Sequence, residues 1–353
     1  MKQLSSFQLS LTFVGVFLGA GFVSGQEIWQ FFACFGPFGF LAFVAAIALF
    51  YLVHSTLIRL VWATKEEAIG HLLTPGDRPA LRAVVNVMQY LFLFGVVVIM
   101  TAGAAAILTD FLDFNIILSS VLVTAVILLL ALLGLQGLVT AFSLLVPVIA
   151  AGAVVIALCV LLKNGITPAP TVGSVSRLLP NWGVSALTYT AYNLLGTVTI
   201  MVPFAPFIKD EKTLRRGLGG GAALLTVMAW SMIAALVVLP EAGCFELPMN
   251  FLAAQIHPAL ELVYGILMLL AMIVSALGCL VALQTQLELE WPKLAAHHRL
   301  SLAVTLAVSC IASLLGFGTL IGVVYPVFGY ASIPFFVCLL ARWQRNKHNQ
   351  AVR

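Results

Sequence analysis

The chain has 353 residues, 62% of them hydrophobic and 8% charged, with a formal net charge of +4. Soluble domains carry roughly 45–50% apolar and about 25% charged residues, so this balance excludes one and predicts an integral membrane protein. Most apolar runs are about 17 to 25 residues or longer, enough for a helix to cross about 30 Å of hydrocarbon, and the alternating segments of roughly ten residues that mark an outer-membrane barrel are absent. The predicted fold class is all-α, integral to the membrane.

In chain order, ten spans are expected, at 8–34, 37–62, 83–109, 115–133, 136–163, 183–207, 213–239, 258–286, 299–315 and 318–342. The single lysine before span 1 is followed by an apolar run too long for a signal peptide and without a small-residue cleavage site, so it is expected to stay as a membrane helix. The connections fall alternately on two sides, and one side collects all of the 17 basic residues except Lys163 and Arg177. The positive-inside rule then puts both termini in the cytoplasm. The positive balance therefore speaks about topology, and no nucleic-acid partner is expected. Six cysteines, Cys34, Cys159, Cys244, Cys279, Cys310 and Cys338, form no CxxC pair and read as small hydrophobic fillers.

Matching irregularities in the two halves suggest an inverted repeat, about 8–163 and 183–342, within one transmembrane domain that ends in a tail at 343–353. Spans 1 and 6 each carry an expected break, at "LGAGFVSG" and at "AYNLLGT" (Ala191 to Thr197). Spans 5 and 10 each hold a central proline, Pro147 and Pro326; spans 3 and 8 are long, and spans 4 and 9 are short. The connections before spans 3 and 8 are both long enough for an interfacial helix.

The break in span 1 places Gly19, Ala20 and Gly21 near the bilayer midplane and Glu27 about six residues, or roughly 9 Å, outward. Backbone groups freed there cost several kcal/mol each unless protein, water or a ligand meets them, so unwinding is tolerated around a cavity. Ser24 to Glu27 fits a capping box, in which Ser24 would cap the new helix and Glu27 would return to the cap's amide. A helix starting there aims its amides and a positive dipole end inward, which suits a carboxylate. The alternative is a close-packing face, since Gly15 and Gly19, and Gly21 and Gly25, have GxxxG spacing.

Glu27 is the only acidic residue well inside a span, and such residues are functional candidates by default. It could carry a proton, meet a substrate ammonium, gate the outer side, or only complete the cap. In span 6, Tyr189, Tyr192, Asn193, Gly196 and Thr197 surround the expected second break; Asn193 could meet freed backbone or a polar ligand, and the tyrosines form an amphipathic wall. Ser275, midway along span 8, could coordinate a cation or bond back to residue 271. His54 and His257 are expected near the interfaces.

These residues resemble the YkvI-type bacterial membrane proteins of the amino acid–polyamine–organocation superfamily, which share the leucine-transporter fold. "GAGFVSGQEIWQFF" is similar to that family's G-A-G-F-x-[ST]-G-[KQ]-E-I stretch, and the Tyr192-Asn193 pair and the ten spans agree with it more loosely. The resemblance implies a five-plus-five inverted repeat in which spans 1, 2, 6 and 7 rock against a scaffold. It also implies a central site between the breaks of spans 1 and 6, with the substrate carboxylate on the amides of Gly19, Ala20 and Gly21. Sodium-coupled relatives pair span 1 carbonyls with two span 8 hydroxyls; here only Ser275 matches, beside Val274, which moves the expectation toward proton coupling through Glu27.

The expected function is a secondary active transporter of a small zwitterionic or anionic solute, an amino acid or a derivative, coupled to protons or sodium. Its candidate substrate-binding residues are Gly19, Ala20, Gly21, Ser24, Gly25, Glu27, Tyr189, Tyr192, Asn193, Gly196 and Thr197; Glu27 and Ser275 are the candidates for ion coupling. A non-transporting solute sensor or a channel is the alternative. No HExxH, GxSxG or pair of facing aspartates points to an enzyme, and no cofactor is expected beyond the coupling ion. The expected partners are the solute and the bilayer, with oligomeric state left open.

Overall fold

The computed structural model describes residues 3–17, 19–66, 72, 79–133 and 138–351, and these are almost wholly helical. The first apolar run forms three pieces, α1 (Ser6–Phe17), α2 (Ala20–Val23) and α3 (Gln26–Phe31). After it come α4 (Phe38–Thr64), α5 (Pro79–Leu112), α6 (Ile116–Leu133), α7 (Leu138–Asn164), α8 (Trp182–Phe204) and α9 (Glu211–Val238). The chain continues through α10 (Pro248–Ala254), α11 (Pro258–Glu290), the single turn α12 (Pro292–Ala295), α13 (His298–Ser313) and α14 (Phe317–Ala351). Among the described residues, 7 helices are long and apolar enough to cross a membrane, and α13 is a shorter apolar helix.

Local chemistry explains the boundaries. Asn115, Asn181 and Asp210 accept the amides of Leu118, Val184 and Thr213 at 2.8, 3.0 and 2.7 Å, capping α6, α8 and α9. The Thr213 amide also holds the Asp210 carboxyl below the usual carboxylate range. His257, expected at an interface, is the cap of α11, where its Nδ1 accepts the Ala259 amide at 3.1 Å. The connection before α11 does form a short helix, α10; most of the corresponding connection before α5 lies outside the described residues.

Burial follows helical period. On α6 the buried residues Ser119, Val123 and Ile127 recur every fourth position, while Ile117, Val121, Leu129 and Leu133 are exposed, as a lipid-facing surface requires. The most extensive packing pairs α5 with α11, α8 with α14, α1 with α9, and α4 with α8. The glycine-rich start of α9 lets α1 approach closely: a side chain on Gly221 would meet the Phe13 ring at 2.7 Å and the Ser10 carbonyl at 3.0 Å. Gly221→Leu is expected to destabilise by about 1–3 kcal/mol, the usual range for overpacking, read as a lower thermal midpoint in detergent.

One expectation fails here. The second break, at Ala191 to Thr197, is absent: α8 is continuous from Trp182 to Phe204. No proline lies within Ala191 to Thr197, and the polar side chains of Thr190 and Asn193 meet carbonyls of their own helix. Thr190 donates to Ala186 O at 2.8 Å and Asn193 to Tyr189 O at 2.9 Å, while Gly196 accommodates a Phe92 ring edge that would lie 3.0 Å from a Cβ. Glycine here serves close packing, and the helix ends only at the turn Ala205–Phe207, which contains Pro206.

Candidate functional site

The break in the first run is built so that neighbouring elements collect its freed groups. Gly19 turns back on Phe17 O at 2.7 Å and then accepts Phe22 and Val23 at 3.0 and 3.3 Å, which starts the four-residue α2 at Ala20 and Gly21. At its far end the Tyr264 hydroxyl of α11 donates to Val23 O at 2.6 Å, and the Met249 amide of α10 donates to Ser24 O at 2.9 Å. An unwound stretch deep in a membrane protein thus rests on protein partners. Tyr264→Phe would leave the Val23 carbonyl unmet, at a cost of about 1–3 kcal/mol, and is expected to lower the thermal midpoint.

The capping box does not form as expected. Gly25, at φ 86°, is the N-cap of α3, a backbone conformation that favours glycine. Ser24 instead donates to Gly21 O at 2.9 Å and accepts the Gln26 amide at 3.2 Å. Glu27, on the first turn of α3, points back toward the break rather than to the cap. Its carboxyl packs on the Cα of Gly21, where any Cβ would collide with it, and Oε2 accepts the Tyr192 hydroxyl of α8 at 2.8 Å. The close-packing reading of the glycines holds at Gly25 alone, which meets Met249 and Pro248 of α10; Gly15 and Gly19 have open space beside them, and Gly21 faces Glu27.

Glu27 is buried, 5% exposed, and among the described residues it has no basic ion-pair partner. Aromatic groups surround it. The Tyr192 and Tyr325 rings stack at 4.5 Å, and Phe31 and Tyr189 lie 5.7 and 5.4 Å from Tyr192. Burying a lone carboxylate costs several kcal/mol, so the group must be met by a proton or a cation, with the Tyr192 hydroxyl as a donor.

The expected residues therefore divide. Gly19, Ala20, Gly21, Ser24, Gly25, Glu27, Tyr189 and Tyr192 converge at the break. Asn193 and Gly196 are occupied by their own helix and by packing. Thr197 faces α4, where its hydroxyl meets His54 Nε2 at 2.7 Å; His54, expected near an interface, is fully buried and bonded through Nδ1 to Phe50 O at 2.8 Å. Ser275 is buried on α11, whose helix packs against α2, and its hydroxyl makes no hydrogen bond among the described residues, so the back-bond to residue 271 is not formed. Sequence reasoning missed Tyr264 and Tyr325, although a tyrosine in mid-span, whose hydroxyl needs a partner, is a usable signal.

No protein-family model matches the chain. Against curated proteins it is 25% identical over 341 residues to the uncharacterized membrane protein YkvI of Bacillus subtilis, covering 96% of each chain. It is also 25% identical to the uncharacterized protein YyaD of the same organism, covering 94% of each. The chain resembles the YkvI-type membrane proteins. Among solved structures it shares the fold of a Na+-coupled sialic acid symporter in a substrate-bound, outward-open state, with a TM-score of 0.61 at 14% identity over 96% of this chain and 78% of the other. A manganese transporter of Eremococcus coleocola superposes with a TM-score of 0.58 at 15% identity, over 95% of this chain and 78% of the other. The fold is of the leucine-transporter type expected from the first-span motif, in a membrane protein with several apolar helices.

Proposed function

We propose that the chain is a secondary active transporter of a small zwitterionic or anionic solute, an amino acid or a derivative, working by alternating access with the proton as coupling ion at Glu27. The observation that carries this reading is the buried Glu27 carboxyl, lodged against the broken stretch and held by Tyr192 with no basic partner among the described residues. A solute carboxylate would bind the amides that open α2. An ionised Glu27 beside Gly21 would repel that carboxylate, whereas a protonated Glu27 would admit it and offer it a hydrogen-bond donor. Proton and solute then bind together and leave together, which is symport.

The architecture supporting it is ten passes in two inverted sets of five, α1 to α3 forming the first pass and α8 the sixth. An axis exchanging the sets turns the α1–α9 packing into the α8–α4 packing and the α5–α11 packing into itself, and all three are among the most extensive contacts. Length agrees: α5 and α11 have 34 and 33 residues, α6 and α13 have 18 and 16. Among the described residues only the first pass is broken, so motion of α1 relative to α3 is the asymmetric element. Both termini lie in the cytoplasm on this reading, with the protein in the bacterial cytoplasmic membrane.

A sodium-coupled version rests on the unbonded Ser275 hydroxyl of α11. Counterflow uptake in proteoliposomes against a panel of labelled amino acids, in sodium and sodium-free buffer at two pH values, separates the versions. Saturable uptake that depends on pH and not on sodium is the expected result. No uptake across the panel, with solutes still raising the thermal midpoint, would favour a sensor and sink the transport reading.

A further inference from the structure

On the N-terminal side of the break, the transport reading leaves His54 of α4 without a role. Its side chain is fully buried, and both ring nitrogens are committed. Phe50 O, at 2.8 Å, can only accept, so Nδ1 carries a proton; Nε2, 2.7 Å from the Thr197 hydroxyl of α8, is then the acceptor of a neutral ring. The remaining neighbours are apolar. The rings of Phe13 and Phe17, on the last turns of α1, lie 5.3 and 5.6 Å away, and that of Phe50 lies at 6.0 Å.

A second proton on this ring, at Nε2, finds a poor fit. Thr197 could accept it only by turning its own proton to Leu194 O, 3.5 Å away and at the limit of a hydrogen bond. No free carboxylate faces the ring either. The helices packed on α4 are α8, α9 and α14, and α1 adds its two phenylalanines; α1, α4, α8 and α14 carry no acidic residue, and Glu211 of α9 is held by Arg59 and Arg215. The nearest titratable groups along these helices, Tyr51 of α4 and Tyr189, edge-on to Phe50 at 5.8 Å, are phenols. Tyr192 donates to Glu27 and stacks on Tyr325, Arg342 pairs with Glu66, and Lys212, Arg216 and Arg345 are exposed.

We propose that His54 is a second proton-binding site, separate from Glu27, and that a proton on it loosens the last turns of α1 from α4 and α8. The neutral ring fits this packing; the charged ring needs water, which reaches it once Phe13 and Phe17 move away. The element free to move is α1. It ends at the break, where Gly19 has open space beside it, whereas α4 and α8 are continuous. Its other end stays tied, because the Leu4 amide donates to Phe207 O at 2.9 Å and the Ser10 hydroxyl to Gly217 O at 2.8 Å, so the loosening concerns residues 12–17. The packing of α1 on neutral His54 is at full strength above about pH 6.5, where a water-exposed histidine is neutral, and weakens by up to about tenfold per unit as pH falls below that. The inference goes beyond the transport reading and does not depend on it.

Hydrogen exchange of the purified full chain in detergent, read by mass spectrometry at about pH 7.5 and about pH 5.5, one unit to either side of the ordinary histidine value, tests this. Exchange in 12–17 is taken relative to α6 in the same sample, which cancels the intrinsic effect of pH. We expect that ratio to rise about tenfold at the lower pH in the wild type. It should stay constant in His54→Gln, which keeps a donor for Phe50 O and an acceptor for Thr197 but does not titrate. His54→Phe, which fills the same apolar pocket, carries the same expectation should the glutamine disturb folding. Glu27→Gln is expected to keep the rise, so failure of the coupling role of Glu27 and failure of this site show separately. An unchanged ratio in the wild type overturns the site whether or not the variants fold. A rise that survives undiminished in the His54 variants, or one that vanishes in Glu27→Gln, overturns it as well.

Discussion

Glu27→Gln is expected to leave the protein folded while removing the pH dependence of uptake and reducing proton-driven accumulation at least about tenfold, a loss of about 1.4 kcal/mol in coupling. Glutamine keeps an acceptor for the Tyr192 hydroxyl and nearly the same volume beside Gly21, so the packing of α3 against α8 survives. What it loses is the exchangeable proton. The variant is fixed in the neutral form, which admits the solute carboxylate, so counterflow exchange persists while accumulation against a gradient fails. Glu27→Ala is a harsher change, because it also leaves the Tyr192 hydroxyl unmet in a buried site, at about 1–3 kcal/mol. The separation of exchange from accumulation in Glu27→Gln, measured in the same proteoliposomes, distinguishes a coupling group from a purely structural one.

Gly21→Val should be equally damaging from the other side of the same contact. Any Cβ at position 21 falls on the Glu27 carboxyl, so the side chain must leave its place beside the break and lose the Tyr192 bond. The expected result is loss of uptake with a stability decrease of about 1–3 kcal/mol. Gly19→Ala is the control, because nothing lies within 4 Å of a Cβ there. If uptake fails because Glu27 is displaced, combining Gly21→Ala with Glu27→Asp, one methylene shorter, should recover part of the activity lost in Gly21→Ala alone. A packing defect unrelated to Glu27 would show no such recovery.

The membrane class and the position of each apolar helix were legible because they follow from hydrophobicity and length, which act residue by residue. The first-span break was legible for a similar reason: glycines and a buried acid in one apolar run have few structural explanations. The details were not. Ser24 and Glu27 match a capping box in sequence, but Gly25 takes the cap with a positive φ and the carboxyl finds a tertiary partner, Tyr192, which no local pattern encodes. The "AYNLLGT" stretch misled because Asn193 and Gly196 look like breakers, whereas their neighbours let Asn193 bond within the helix and Gly196 admit Phe92. Likewise Thr197 turned toward His54 rather than the break, a choice made by the packing of α8 on α4.

The most direct test of the central claim, that Glu27 couples proton movement to solute movement, is uptake of a labelled amino-acid mixture driven by an imposed pH gradient without sodium. Wild type and Glu27→Gln would be compared in matched proteoliposomes. The account predicts accumulation above the equilibrium level in the wild type and equilibration only in the variant. Accumulation of equal height in both would contradict it.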